Sequence, residues 1–99
     1  MNNIKTINKN NSRFVLSKNG ETLIVYENKT ILVYAKTNST NVNGKTQWSQ
    51  TKNKIEVEHL QSDIVINAEG NIISFMTSTN TNHNIINTYQ YDKKYDVWN

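Results

Sequence analysis

The sequence predicts an all-β protein, either a small antiparallel β-sandwich or a closed β-barrel built from consecutive hairpins, with little or no helix. β-Branched residues dominate the aliphatic side chains, with 11 Ile and 7 Val against 4 Leu, and such residues favour strands. Short apolar runs alternate with turn residues at roughly ten-residue spacing, which is typical of sandwiches and small barrels. No window keeps apolar residues at helical spacing.

The first half of the chain predicts a three-stranded meander. Residues 13–17 form its first strand, and Asn19-Gly20 follows as a two-residue hairpin turn, because both positions tolerate positive φ. Residues 22–35 read TLIVYENKTILVYA, which predicts two strands joined by a turn at residues 27–30. The predicted cross-strand pairs are Leu16 with Leu23, Phe14 with Val25, Tyr26 with Ile31, Val25 with Leu32, Leu23 with Tyr34 and Thr22 with Ala35.

Both faces of this meander are apolar. An antiparallel sheet with one face in water should alternate apolar and polar residues, so something must cover each face. The rest of the chain can cover one face, and the other needs a second layer, a second copy or a partner. One face carries Phe14, Leu16, Leu23, Val25, Leu32 and Tyr34, and the other carries Val15, Ile24, Tyr26, Ile31, Val33 and Ala35.

The second half predicts a polar loop, or a loose hairpin around Asn43-Gly44, over residues 37–53, and then further strands. Residues 54–60 alternate as a strand, and residues 63–68 and 71–77 form a hairpin that turns at Glu69-Gly70. This hairpin puts Ile64, Ile66, Ile73 and Phe75 on one inner face. A polar loop over residues 78–84 leads to a strand at 85–91, and a final hairpin turns at 92–94 and brings Tyr89 close to Trp98.

Composition limits the range of functions. Ninety-nine residues allow one core, and we interpret residues 1–99 as a single all-β domain with residues 1–11 as a flexible N-terminal arm. The chain has no Cys, which excludes disulfides, thiolate metal sites and a Cys nucleophile. No apolar run is long enough to span a membrane, and the first residues lack the apolar segment of a secretion signal. We therefore expect a cytoplasmic protein without membrane contact.

No set of residues predicts catalysis. Glu56, Glu58 and His59 form the densest titratable cluster, but on a strand the two glutamates share one face and the histidine points the other way. His83 lies in a polar loop, and the chain contains no phosphate-binding, nucleophile or zinc motif. The three glycines all lie at predicted turns. We therefore expect a protein that is not an enzyme and that uses no cofactor and no metal.

Protein binding is the function that the remaining observations favour, because an apolar sheet surface beyond what one core needs marks an interaction site. Tyr and Trp are frequent anchors in interfaces, and the polar loop and the C-terminal hairpin carry most of them. The predicted partner-binding residues are Trp48, Glu56, Glu58, Tyr89, Tyr91, Asp92, Tyr95, Asp96 and Trp98.

Two other functions stay open. The net charge of +3 permits a single-stranded nucleic-acid-binding barrel that uses Trp48 and the C-terminal tyrosines as stacking platforms. However, Asp92 and Asp96 interrupt any basic stripe, and the 18 Asn and the lysines also suit an AT-rich genome. The second is a structural subunit that forms a homo-oligomer through its spare apolar face.

In size, AT-biased composition and lack of a catalytic set, the chain resembles the small proteins of phages and mobile elements. That class includes inhibitors of host defence, among them anti-CRISPR proteins. The resemblance implies a protein that covers the nucleic-acid-binding or catalytic surface of a host nuclease complex in the host cytoplasm. It also implies that Glu56, Glu58, Asp92 and Asp96 face a basic groove of that target.

Overall fold

A computed structural model of the protein describes residues 13–37 and 47–99, and within these ranges the fold is all-β with no helix. The predicted N-terminal arm and the predicted turn at Asn43-Gly44 lie outside the described residues. The strands are β1 (Arg13–Leu16), β2 (Thr22–Glu27), β3 (Thr30–Lys36), β4 (Trp48–Gln50), β5 (Ile55–Glu56), β6 (Val65–Ile66), β7 (Ile72–Ser78), β8 (Asn84–Asp92) and β9 (Val97–Trp98).

These strands form two antiparallel sheets. Sheet A has the order β1-β2-β3-β4, with β5 also paired to β3, and sheet B has the order β6-β7-β8-β9. The described strands do not close into a barrel, because no ladder joins an edge of sheet A to an edge of sheet B. Of the two predicted architectures, the sandwich is therefore the one that the structure supports.

The predicted registers of the meander are confirmed. Leu16 pairs with Leu23 and Phe14 with Val25, and β2 pairs with β3 from Thr22 opposite Ala35 to Glu27 opposite Thr30. The hairpin register of β6 and β7 is also the one that a turn at Glu69-Gly70 requires. Turn residues and the two-residue period of a strand act locally, so they determine these pairings without tertiary information.

The turn between β1 and β2 differs from the predicted two-residue type. Gly20 N donates to Ser17 O at 2.9 Å, so Lys18 and Asn19 occupy the central positions, and Gly20 follows with φ 76°. The turn between β2 and β3 does have two central residues with positive φ, Asn28 at 53° and Lys29 at 62°. That geometry corresponds to the type I′ turn that suits the twist of a hairpin.

The core lies between the two sheets and decides which face of the meander is the inner one. Sheet A contributes Ile24, Ile31 and Val33, each 0% exposed, with Val15 and Tyr26 packed at the margin. Sheet B contributes Ile73, Phe75 and Trp98, and Ile66 packs against them. The predicted inner face of the first hairpin of sheet B therefore does face the core. The other members of the cluster are Ile55, Val57 and Ile64.

Three segments differ from their predicted secondary structure, and one of them is the strand predicted over residues 63–68, which comprises only Val65–Ile66. β4 lies within residues 37–53, which were predicted to form a loop or a loose hairpin. The strand predicted over residues 54–60 ends at Glu56, although the predicted alternation holds in that Ile55 and Val57 are buried and the glutamates are exposed. The ladder ends at Glu56 because its partner Thr30 is the first residue of β3, and His59 with φ 58° then prevents an extended chain up to residue 60.

The C-terminal hairpin has a longer loop than predicted, which changes its register. Asp92 pairs with Val97, so four residues form the loop, and Asp96 adopts φ 58°. Tyr91, and not Tyr89, is therefore the cross-strand neighbour of Trp98, with ring centroids 5.3 Å apart. The expectation that Tyr89 lies next to Trp98 is wrong by two residues.

The turn before β2 and the turn before β7 are bonded to each other. Asn19 Nδ2 donates to Glu69 O at 3.1 Å, and the hydroxyl of Thr22 donates to Gly70 O at 3.0 Å. Thr22 and Ser17 are the buried polar residues at this contact. We call the contact the turn clasp, and it joins one end of sheet A to one end of sheet B.

Candidate functional site

The side of sheet A that faces away from the core carries two cross-strand rows of apolar residues. One row is Phe14, Val25 and Leu32, and the other is Leu16, Leu23 and Tyr34. We call this surface the outer face. None of the six residues belongs to the core cluster between the sheets, so the second apolar face of the sequence lies outside that cluster.

Exposure on the outer face increases towards its edge at β1. Val25 and Tyr34 are 1% and 7% exposed, whereas Phe14 is 69% and Leu16 is 53% exposed. Leu23 and Leu32 are intermediate. A phenylalanine and a leucine that share one strand face and remain this exposed form a local apolar patch of the kind that marks interaction sites.

The registers of β4 and β5 bring two of the predicted partner-binding residues to this same face. Trp48 lies opposite Lys36 and Glu56 lies opposite Thr30, and both positions have the parity of Leu32 and Tyr34 on β3. Trp48 is half-buried, and its indole Nε1 is buried without a hydrogen-bond partner. The outer face therefore combines apolar rows with one indole and one carboxylate on its far side.

Glu56 is exposed but is partly oriented by its neighbour. The hydroxyl of Thr30 donates to Glu56 Oε2 at 3.3 Å, which positions the carboxylate beside β3. Glu58 is also exposed and follows Glu56 at the two-residue spacing of an extended chain. These two carboxylates supply negative charge at the border of the outer face, whereas His59 lies beyond the end of the strand.

The predicted C-terminal residues lie on sheet B, apart from the outer face. Trp98 is 3% exposed and belongs to the core cluster. The side chain of Asn53 bonds both its backbone groups, accepting from Trp98 N and donating to Trp98 O, each at 2.8 Å. Tyr89 and Tyr91 are half-buried against the core, and Tyr89 stacks on Phe75 at 6.0 Å. These three aromatic rings contribute to packing within the chain.

Asp92 and Asp96 organise the C-terminal loop. Asp92 Oδ1 accepts from Lys94 N at 3.0 Å and from Tyr95 N at 3.4 Å, as an aspartate commonly does at a turn. Asp96 Oδ1 accepts from the hydroxyl of Tyr91 at 2.5 Å. Burial, that hydrogen bond and the charges of the two aspartates raise the pKa of Tyr91 to about 12.

Tyr95 is the exposed aromatic residue of the predicted C-terminal set, at 57%. Lys94 Nζ lies 5.3 Å from the centre of its ring, within the range of a cation–π contact. The structure therefore separates the predicted residues into Trp48, Glu56 and Glu58 on or beside sheet A, and Tyr95 on the loop of sheet B. It does not assemble the C-terminal aromatics into one exposed stacking surface.

Two exposed residues of the outer face, Phe14 and Leu16, were not among the predicted partner-binding residues. The sequence contained a signal for them, since both belong to the second apolar face of the meander. Their place on a sheet edge depends on the strand order, which the local pattern does not determine. Phe14 and Leu16 gain their exposure from that edge position.

Within the described ranges no cluster of three or more His, Cys, Asp or Glu side chains is arranged to hold a metal ion. In those same ranges no helix has the length and apolar character needed to cross a membrane. Comparisons of the chain with family models, with curated proteins and with solved structures found no match.

Proposed function

We propose that the protein is a non-enzymatic binding protein that docks on another protein through the outer face of sheet A. The observation that carries the proposal is the pair Phe14 and Leu16, 69% and 53% exposed on one strand face. Apolar side chains held on a rigid sheet lose little entropy when a partner covers them, so they are suitable anchors. Trp48 adds an aromatic group to the same face.

Charge at the border of this face suggests the chemistry of the partner. Glu56 and Glu58 are exposed beside β3, and Thr30 orients the first of them. A partner that presents an apolar patch next to basic side chains would complement this arrangement, because opposite charges at the rim of an interface favour correct docking. Tyr95 and the carboxylates of Asp92 and Asp96 remain predicted contacts on a separate surface.

The narrower form of the proposal is an inhibitor, of phage or mobile-element origin, that covers a basic surface of a host CRISPR-type nuclease complex. Size, composition and the two exposed glutamates support it. The alternative from another class is single-stranded nucleic-acid binding. It is supported by Lys93, Lys94 and the exposed ring of Tyr95 on one loop, although the other predicted stacking rings of that segment pack inward.

Affinity capture with two matched variants tests the proposal. Phe14→Ser alters the outer face, and Ile86→Ser alters an equally exposed apolar residue, 73% against 69%, on the other sheet. We expect the wild type and Ile86→Ser to capture the same protein from nuclease-treated host lysate, and Phe14→Ser to lose it. Equal urea midpoints must show that both variants fold.

Two results would overturn this assignment, and a third would remove only its narrower form. Equal capture by Phe14→Ser and the wild type would remove the outer face from the interface. Capture that disappears after nuclease treatment, together with oligonucleotide binding that weakens steeply with salt, would favour nucleic-acid binding. For the narrower form, purified protein should inhibit a reconstituted nuclease complex, and Glu56→Lys should weaken that inhibition. Absence of inhibition would leave the general proposal and remove the narrower one.

A further inference from the structure

β8, the longest of the described strands, has one edge that no described strand covers. Along one side β8 pairs with β7 from Asn84 to Gln90. On the other side β9 pairs only with Tyr91 and Asp92. Gln90 and Asn99 exchange backbone hydrogen bonds of 2.9 and 3.1 Å, and no described residue pairs with residues 84–88 of β8 on this side. Within the described part of the chain, residues 84–88 are therefore an open sheet edge.

The hydrogen-bond alternation of an antiparallel ladder shows which backbone groups face this edge. Tyr91 N donates to Asn71 O, and Thr79 N donates to His83 O, so the odd-numbered residues of β8 bond towards β7. The N–H and C=O groups of Asn84, Ile86 and Thr88 consequently point away from β7. Three donors and three acceptors on this edge have no backbone partner among the described residues.

This edge also lacks the features by which proteins usually prevent strands from pairing. Residues 84–91 read NIINTYQY and contain no charged residue, while the whole chain contains no proline. Edge strands are commonly protected by lysine, proline or a bulge. The edge presents Ile86 at 73% exposure and Ile85 at 47%. The edge of β1, in comparison, is shorter and begins with the charged Arg13.

We propose that the open edge of β8 pairs with the same edge of a second copy, antiparallel, about a two-fold axis that passes through Ile86. In this register Asn84 lies opposite Thr88 of the second copy, and Ile86 lies opposite Ile86. Each pair exchanges two backbone hydrogen bonds, so all six groups of each edge are satisfied. A shift by one residue opposes groups that point away from each other, and a shift by two leaves part of each edge unpaired.

The side chains fit a second copy as well as the backbone does. On one face of β8, the apolar Ile86 lies between the polar residues Asn84 and Thr88. A two-fold axis through Ile86 therefore places polar residues opposite polar residues and isoleucine opposite isoleucine. Met76 is the neighbour of Ile86 on β7, so the pairing forms an apolar row of two isoleucines between two methionines. Within residues 84–88 no like charges are opposed, and the polar ends can bond to each other.

The paired edge joins two copies of sheet B into one continuous sheet. Five residues on each side form a small interface, below the 1,200–2,000 Å² or so of a stable specific complex. The dimer should therefore dissociate on dilution. It does not rest on the proposed docking function, because the outer face of sheet A is not part of this edge.

Sedimentation velocity of the full chain, from about 10 μM to about 1 mM, provides the first test. We expect the mass of the wild type to rise from monomer towards dimer across this range. Ile86→Lys places two positive charges opposite each other on the axis and should remain monomeric. Val65→Lys changes a 56% exposed residue on β6, away from this edge, and should associate as the wild type does.

Disulfide trapping provides the second test, and the chain is suited to it because it has no cysteine of its own. Residues paired in a hydrogen-bonded antiparallel position lie about 5.5 Å apart at Cα, which a disulfide can bridge. Ile86→Cys should form a covalent dimer at least about tenfold faster than Val65→Cys under mild oxidation. Equal rates would overturn the register.

A wild type that remains monomeric to the highest concentration would overturn the proposal, and so would an Ile86→Lys variant that still associates. If the wild type is monomeric and captures from lysate a partner protein that the Ile86→Lys variant does not capture, the edge binds a strand of that partner and not a second copy of this chain. Equal urea midpoints of the two lysine variants, measured at low concentration, exclude misfolding as the cause.

Discussion

Replacement of Gly70 by alanine tests whether the turn clasp holds the two sheets together. A Cβ atom at Gly70 would lie 2.4 Å from Thr22 Oγ1 and 2.9 Å from Thr22 Cβ. Both distances are shorter than non-bonded atoms tolerate, so either the turn or β2 must move. Gly20 is a matched control, because it has nearly the same φ, 76° against 78°, and a Cβ there would meet nothing within 4 Å.

The two substitutions therefore share one cost and differ in another. A left-handed conformation costs an alanine about 1–2 kcal/mol, and the lower entropy of the unfolded alanine chain offsets about 0.4–1 kcal/mol of that. Gly20→Ala should lose roughly 1 kcal/mol of unfolding free energy. Gly70→Ala adds an overpacking cost of about 1–3 kcal/mol. It also endangers the Thr22 hydrogen bond, worth about 0.5–1.5 kcal/mol.

Urea denaturation followed by tryptophan fluorescence measures this difference, because Trp98 is buried and should report global unfolding. We expect Gly70→Ala to be less stable than Gly20→Ala by about 2–4 kcal/mol, with an unchanged dependence on urea concentration. In the background Thr22→Ala, which removes the nearest clashing atom, the cost of Gly70→Ala should fall by about 0.5–3 kcal/mol. Equal losses for the two glycine substitutions would refute the clasp as a tight contact.

Four further substitutions test local strain, titration and packing. Lys29→Gly should raise the melting temperature by up to about 8 °C in a thermal scan. Lys29 has φ 62°, and glycine avoids a left-handed cost of about 1–2 kcal/mol, of which the more flexible unfolded chain offsets about 0.4–1 kcal/mol. A lower melting temperature would contradict this. Burial and the Asp96 hydrogen bond raise the pKa of Tyr91 to about 12, so its contribution is complete below about pH 10 and is lost as the pH rises towards 12. Tyr91→Phe should therefore flatten the fall of the urea midpoint in that window, and an unchanged slope would remove Tyr91 as its cause. Trp98→Ala should cost about 3–5 kcal/mol of unfolding free energy, whereas Tyr95→Ala should change it by at most about 0.5 kcal/mol; similar losses would contradict the core position of Trp98.

Much of the candidate site depends on contacts that no local pattern encodes. The alternation of the buried Ile55 and Val57 with the two exposed glutamates could be predicted from the sequence, because successive side chains of an extended chain point to opposite faces. The position of Trp48 and Glu56 on the outer face could not be predicted, because it depends on the registers in which β4 and β5 pair with β3. Trp98 likewise packs in a core formed by distant segments, and its backbone bonds to Asn53, 45 residues earlier in the chain.

The apolar doubling of TLIVYENKTILVYA and the turn residues around it were enough to determine an all-β chain and the meander registers, since strand period and turn geometry act over a few residues. The left-handed conformations of His59 and Asp96 could not be predicted from the pattern, and Asp96 lies in the longer loop that shifts the register of the C-terminal hairpin. Only the tertiary structure decided which apolar face sheet B covers. It also left Phe14 exposed and, among the described residues, one edge of β8 without a neighbouring strand, because burial and edge position belong to the packing of distant segments.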